Sequence, residues 1–164
     1  MNLLQKAVRH LHVPFYAVLL LWETLRAWGF RKWLGFWFSA AEDLVLTMDG
    51  LSFHVRASSI KSKMTDTFAI MESLYHKLYN RRFMNDEFRI EPGDTVIDIG
   101  AYIGSFALPA ARFAKEGTVH SFEPSPGNFA QLEKNVKLNR AGNVRIYNQE
   151  IGRASCRERV LTGV

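Results

Sequence analysis

The sequence predicts an α/β protein built on a short parallel sheet, and three observations carry that prediction. From Pro92 onward, apolar segments of strand length alternate with segments of helical period. A glycine loop follows the first of these strands. Upstream, an Asp-Gly pair separates two runs of alternating polarity. The chain has 164 residues, 48% of them hydrophobic and 23% charged, a balance that suits a folded domain rather than a disordered segment. A single cysteine excludes a disulfide scaffold and a cysteine-rich zinc module. The net charge of +5 is concentrated at the start. Residues 1–41 hold five Lys or Arg against one Glu, whereas residues 42–149 hold thirteen basic and thirteen acidic side chains. A nucleic-acid footprint spread over the fold is therefore not supported, and DNA is not expected as a partner.

Four segments follow from composition. Residues 1–41 are aromatic, basic and helical in period, and all four Trp (Trp22, Trp28, Trp33 and Trp37) lie there. Apolar runs at 13–22 and 33–41 are shorter than the about 20 residues a spanning helix needs. They suit an amphipathic cap on the domain, or a helix lying on a membrane surface. No small-x-small cleavage site follows them, so a cytoplasmic location is expected, with peripheral membrane contact through residues 1–41 as an option. Residues 42–91 form the second segment. A hairpin is predicted with strands at 44–48 and 51–56 and its turn at Asp49-Gly50, because both turn residues tolerate positive φ. A polar connection over 57–64 leads to a helix over 66–79, capped by Thr65 or Asp66, with Phe68, Met71, Leu74, Tyr75 and Leu78 on its inner face. Residues 92–150 form the third segment. It reads as a strand at 95–99 buried on both faces, a helix at 103–115, a strand at 119–122, a helix at 126–140 with Phe129, Leu132 and Val136 inward, and a strand at 144–147. Pro109 inside the first of these helices would remove a backbone bond.

The chemistry is concentrated in Val96-Ile97-Asp98-Ile99-Gly100-Ala101-Tyr102-Ile103-Gly104. A buried strand ends in an acid, then a Gly-x-x-x-Gly loop opens a helix. Gly100 permits a sharp turn, and Gly104 permits close approach of the helix start. The helix N-terminus would offer free N–H groups. Glu123 closes the next strand, where an acid can take both hydroxyls of a ribose. A dinucleotide fingerprint would place glycine two residues after Gly100, where Tyr102 stands. Asp98 suits a cationic ligand better than a phosphate. Both points favour S-adenosyl-L-methionine over a nicotinamide dinucleotide.

The stretch from 96 to 139 resembles the core of the FkbM-type S-adenosylmethionine-dependent methyltransferases. The likeness runs over about 66–147. It is most specific at 98–104, at Phe122-Glu123-Pro124 with Pro126, and from Asn135 to Asn139. The resemblance implies an incomplete Rossmann-like class I methyltransferase fold, with the first three strands of the sheet, preceded by the helical segment and the hairpin. It implies that Asp98, Gly100 and Gly104 line the methionine end of the cofactor and that Glu123 holds the ribose. With Ala101, Tyr102, Ile103 and Pro124 they make up the candidate cofactor-binding residues. The family often has Asn at the position of Tyr102. The acceptor it implies is a hydroxyl of a sugar, glycolipid or small metabolite. Pro109 is shared with a second group, the tRNA-guanine methyltransferases of archaeal and eukaryotic type, which makes tRNA the runner-up acceptor. A membrane-associated binding fragment without catalysis is the third reading.

No residue stands out as a catalytic base. His10, His12, His54, His76 and His120 lack metal-site spacing with an acid, so no metal is expected. Glu72 and Tyr79 match upstream family positions loosely, and Glu72 is a candidate to reach the cofactor. Residues 150–160, EIGRASCRERV, read like a translated sequencing adapter. Residues 151–164 are therefore expected to be non-native, Cys156 is no nucleophile candidate, and the chain is expected to be the first part of a longer enzyme. Its first strand should then show an open apolar edge. The absence of Gly-x-Ser-x-Gly and of a phosphate-loop Gly-Lys-Ser/Thr leaves hydrolase and NTPase readings without support.

Overall fold

The computed structural model describes residues 28–74 and 90–151, with residues 18, 21, 22 and 24–26 before them. Contacts divide the chain into two units. One comprises 1–44 and 55–68, the other 45–54 and 69–164.

In the first unit, helix α1 spans Phe30–Trp37. Trp37 is buried, and its Nε1 donates to Thr24 Oγ1 at 3.3 Å. Phe30, Phe38 and Trp22 are exposed. The helix ends without a glycine cap. Lys63 takes that role, because its buried ammonium donates to the carbonyls of Phe36, Trp37 and Ser39 at 3.1, 3.3 and 3.3 Å. A cation at that end also meets the negative pole of the helix dipole. In the same unit the fully buried Asp66 carboxylate accepts from the Arg56 backbone N–H and from two guanidinium nitrogens.

The hairpin forms as expected, with β1 at Asp43–Met48 and β2 at Leu51–Arg56. Asp49 and Gly50 both hold positive φ, 50° and 72°, as a two-residue type I′ turn requires. Leu51, Phe53 and Val55 are buried and alternate with half-buried neighbours.

Helix α2 spans Ile60–Leu74, so it begins six residues before the expected start. Ser59 supplies the cap, its Oγ accepting the Ser62 N–H at 3.0 Å. Neither Thr65 nor Asp66 caps the helix: Thr65 bonds back to the Lys61 carbonyl, and Asp66 is held by Arg56. The inner face differs from the expected one at Phe68. Ile70, Met71 and Leu74 are buried, whereas Phe68 is exposed. Tyr75, Leu78 and Tyr79 lie outside the described residues, as do residues 1–17 and 152–164.

In the second unit, β3 (Thr95–Ile99), β4 (Thr118–Phe122) and β5 (Val144–Tyr147) form a parallel sheet in that order. Helices α3 (Ala107–Phe113) and α4 (Pro126–Leu138) connect them. The register sets Val96 beside Val119 and Val119 beside Val144. Ala107, Ala110, Ala111 and Ala114 gather on the two buried valines of that row, Val119 and Val144. Small side chains let the helix lie close to the strands. The opposite face differs from expectation. Ile97 and Ile99 are 63% and 65% exposed, so β3 is covered on one face and not on both. An apolar strand composition does not say which faces receive a partner. β3 and β5 are the two edge strands of the described sheet.

Helix α3 begins at Ala107 rather than 103, because residues 100–106 form turns. Pro109 consequently falls in its first turn, where its missing N–H interrupts the ladder only between the Leu108-to-Gly104 and Ala110-to-Phe106 bonds.

Candidate functional site

The glycine loop is folded back onto the end of β4. Gly100 and Ala101 both donate their N–H to the Phe122 carbonyl, at 2.9 and 3.0 Å. The Tyr102 N–H donates to Glu123 Oε2 at 2.8 Å, and the Gly104 N–H to the Ala101 carbonyl at 2.8 Å. Three residues adopt left-handed backbone here: Gly100 at φ 83°, Tyr102 at 53° and Gly104 at 87°. Glycine meets this geometry without cost, whereas tyrosine does not. At Gly104 space matters as well, since a Cβ would come within 2.9 Å of Leu132 Cδ1 on α4.

Two expectations for the loop are thereby corrected. Gly104 lies in a turn before α3 rather than in the first turn of the helix, and that turn packs close to Leu132. The N–H groups expected at the helix terminus belong to the loop, and those of Gly100, Ala101, Tyr102 and Gly104 already have acceptors.

Asp98 and Glu123 stand at the carboxyl ends of neighbouring strands. Asp98 is buried, and its Oδ2 has no hydrogen-bond partner among the described residues. Burial, with the negative charge of Glu123 as a second cause, pushes the Asp98 carboxyl up to about 6. Glu123 is buried and well supplied with donors. Its Oε2 takes Tyr102 N–H, and its Oε1 takes Ser125 N–H at 2.9 Å and Asn128 Nδ2 at 3.3 Å. A carboxylate offers about four acceptor positions, so one is left for a ligand hydroxyl. Asn148 Nδ2 fixes the strand end behind it, donating to the Glu123 carbonyl at 2.8 Å and to that of Pro124 at 3.3 Å.

The structure thus brings together Asp98, Gly100, Ala101, Tyr102, Ile103, Gly104, Glu123 and Pro124. Glu72, half-buried on α2, does not join this hydrogen-bonded cluster. His120 sits on β4 and bonds Tyr147 Oη through Nδ1 at 2.9 Å. Among the described residues, no group of three His, Cys, Asp or Glu is arranged to hold a metal ion.

Sequence reasoning missed the amide side chains of α4. Asn139 Oδ1 accepts from Ser52 N–H at 2.8 Å, and Asn139 Nδ2 donates to the Ser52 carbonyl at 2.6 Å. Asn135 Oδ1 accepts from His54 N–H at 2.6 Å, and Gln131 Nε2 donates to the His54 carbonyl at 2.8 Å. Asn135 Nδ2 donates to the Ile103 carbonyl at 2.8 Å. The available signal was spacing: positions 131, 135 and 139 fall on one helix face.

Comparison with known proteins bears on this site. The family description "TRM5/TYW2 methyltransferase domain" matches residues 64–164. The 31-O-demethyl-FK506 methyltransferase FkbM of Streptomyces tacrolimicus is 41% identical over 73 residues, 43% of this chain and 28% of that protein. The tRNA (guanine(37)-N(1))-methyltransferase of Danio rerio is 33% identical over 88 residues, 51% of this chain and 18% of that protein. The chain therefore spans less than a third of the length of either relative. A transferase structure from Pyrococcus horikoshii has the same fold over 69% of this chain and 38% of its own, with 21% identity and a TM-score of 0.50. The Rossmann-like α/β fold expected from the sequence stands. The whole-family match falls to the group that the sequence placed second, and the FkbM likeness persists as a partial relative. The chain belongs to the TRM5/TYW2 methyltransferase domain family.

Proposed function

We propose that this chain carries the S-adenosyl-L-methionine-binding half of a methyltransferase that modifies tRNA. The observation that carries the cofactor reading is the buried Asp98 oxygen without a partner, beside a glycine loop that Glu123 closes. An unpaired buried carboxylate calls for a cation, and the cofactor has both an ammonium and a sulfonium. Asp98, Gly100, Ala101 and Gly104 would hold its methionine end. Glu123 would take a ribose hydroxyl on its remaining acceptor position, with Tyr102, Ile103 and Pro124 completing the lining. When bound, the cofactor supplies an electrophilic methyl group. The chain's own part is to bind and orient it and to keep Asp98 out of water.

Family membership and the fish tRNA methyltransferase support tRNA as acceptor. Residues 42–149 carry no net charge, so few phosphates would be neutralised, and RNA affinity should be weak with a shallow salt dependence. A gel shift with tRNA across a salt series tests this. A second reading, transfer to a hydroxyl of a small molecule or glycan-lipid, is favoured by the 41% identity to FkbM. Peripheral membrane contact through residues 1–41 belongs to that reading. It predicts no tRNA shift and retention on anionic liposomes, aided by the exposed Trp22, Phe30 and Phe38.

A further inference from the structure

Ser52 and His54 lie two apart on β2, so their N–H and C=O groups point the same way, to the edge that β1 leaves open. Amides on α4 fill that edge in place of a third strand. Asn139 and Gln131 serve the hairpin and do not bond the glycine loop. Asn135 serves both. It is fully buried, its oxygen holds His54 N–H at 2.6 Å, and its nitrogen holds the Ile103 carbonyl at 2.8 Å. Ile103 sits between Tyr102 and Gly104, two of the three residues of that loop with left-handed backbone. Arg112 of α3 adds a second tie, donating to the Asp49 carbonyl in the hairpin turn.

We propose that Asn135 is a positioning residue for the cofactor loop, and that through its one amide group the hairpin sets the shape of residues 100–104. The proposal rests on the cofactor reading above. An amide bonded at both ends has no freedom to serve one partner alone. Displacing β2 must therefore pull on the Ile103 carbonyl or leave one of the two buried groups unpaired. Coupling of this kind is reciprocal: a ligand that orders the loop must also order the hairpin edge.

The test uses the full chain with S-adenosylhomocysteine as probe. Asn135→Ala should weaken binding by about tenfold, the effect of losing one buried hydrogen bond at the loop. Asn139→Ala opens the same hairpin seam without touching the loop, and should change affinity by about twofold at most. Amide exchange in the unaltered chain gives a second readout, free of any folding defect. Adding the probe should slow exchange at His54 N–H. If the unaltered chain binds the probe while His54 exchange is unmoved, or if both variants lose equal affinity, the proposal is overturned and the cofactor reading stands. If the unaltered chain does not bind the probe at all, both fall.

Discussion

Glu123 and Tyr102 meet across the carboxyl ends of β4 and β3. One Glu123 oxygen accepts the Tyr102 backbone N–H at 2.8 Å while Tyr102 holds φ at 53°. The bond keeps a bulky residue in the left-handed region, which costs roughly 1–2 kcal/mol for an ordinary side chain and less for asparagine. Tyr102→Asn should therefore raise stability by about 1 kcal/mol. The check is an upward shift of the urea midpoint with an unchanged slope.

Asp98 makes stability depend on pH. Its carboxyl is raised from 3.8 to about 6, so between those values the folded chain keeps a proton that the unfolded chain has lost. Stability should then fall as pH rises from about 4 to about 6, by at most about 3 kcal/mol. Asp98→Asn should flatten this slope and make the protein more stable at pH 8. Denaturant melts at pH 4.5 and pH 8 measure it. Probe affinity should move the other way in the unaltered chain, rising through pH 6 as the carboxyl ionises to meet the ligand ammonium.

Gly104→Ala meets two obstacles, a φ of 87° and a contact at 2.9 Å with Leu132 Cδ1. The combined cost should be about 1–3 kcal/mol. Thermal melts monitored in the near ultraviolet would register it as a lowered midpoint.

Ser59→Ala should cost about 1 kcal/mol, since it removes the α2 cap. Thr65→Ala, at the exposed position where the sequence predicted a cap, should be close to neutral. A larger loss at Thr65 than at Ser59 would return the helix start to the later position.

The hairpin was legible because Asp49-Gly50 is a local signal: its positive φ values depend on those two residues alone. β3 was legible to the residue, since Pro92-Gly93-Asp94 and Gly100 bracket it. The starts of α2 and α3 were not, whereas α4 begins at Pro126 as read. Residues 103–106 have the period of a helix, yet the loop spends its N–H groups on Phe122 and Glu123 first. Exposure of Ile97 and Ile99 escaped for another reason, as covering a face depends on what else packs there. The acids Asp98 and Glu123 were found from strand-end position. The amide seam of Gln131, Asn135 and Asn139 was not, because polar residues on a helix usually face water.

The proposed cofactor site stands or falls on whether the Asp98 and Glu123 strand ends hold an adenosyl group. Calorimetric titration of S-adenosylhomocysteine into the chain, beside Asp98→Asn and Glu123→Gln, addresses it most directly. One binding site is expected, weakened about tenfold or more in each variant, with no heat from a nicotinamide dinucleotide. Equal binding by all three proteins, or none by the unaltered chain, would contradict it.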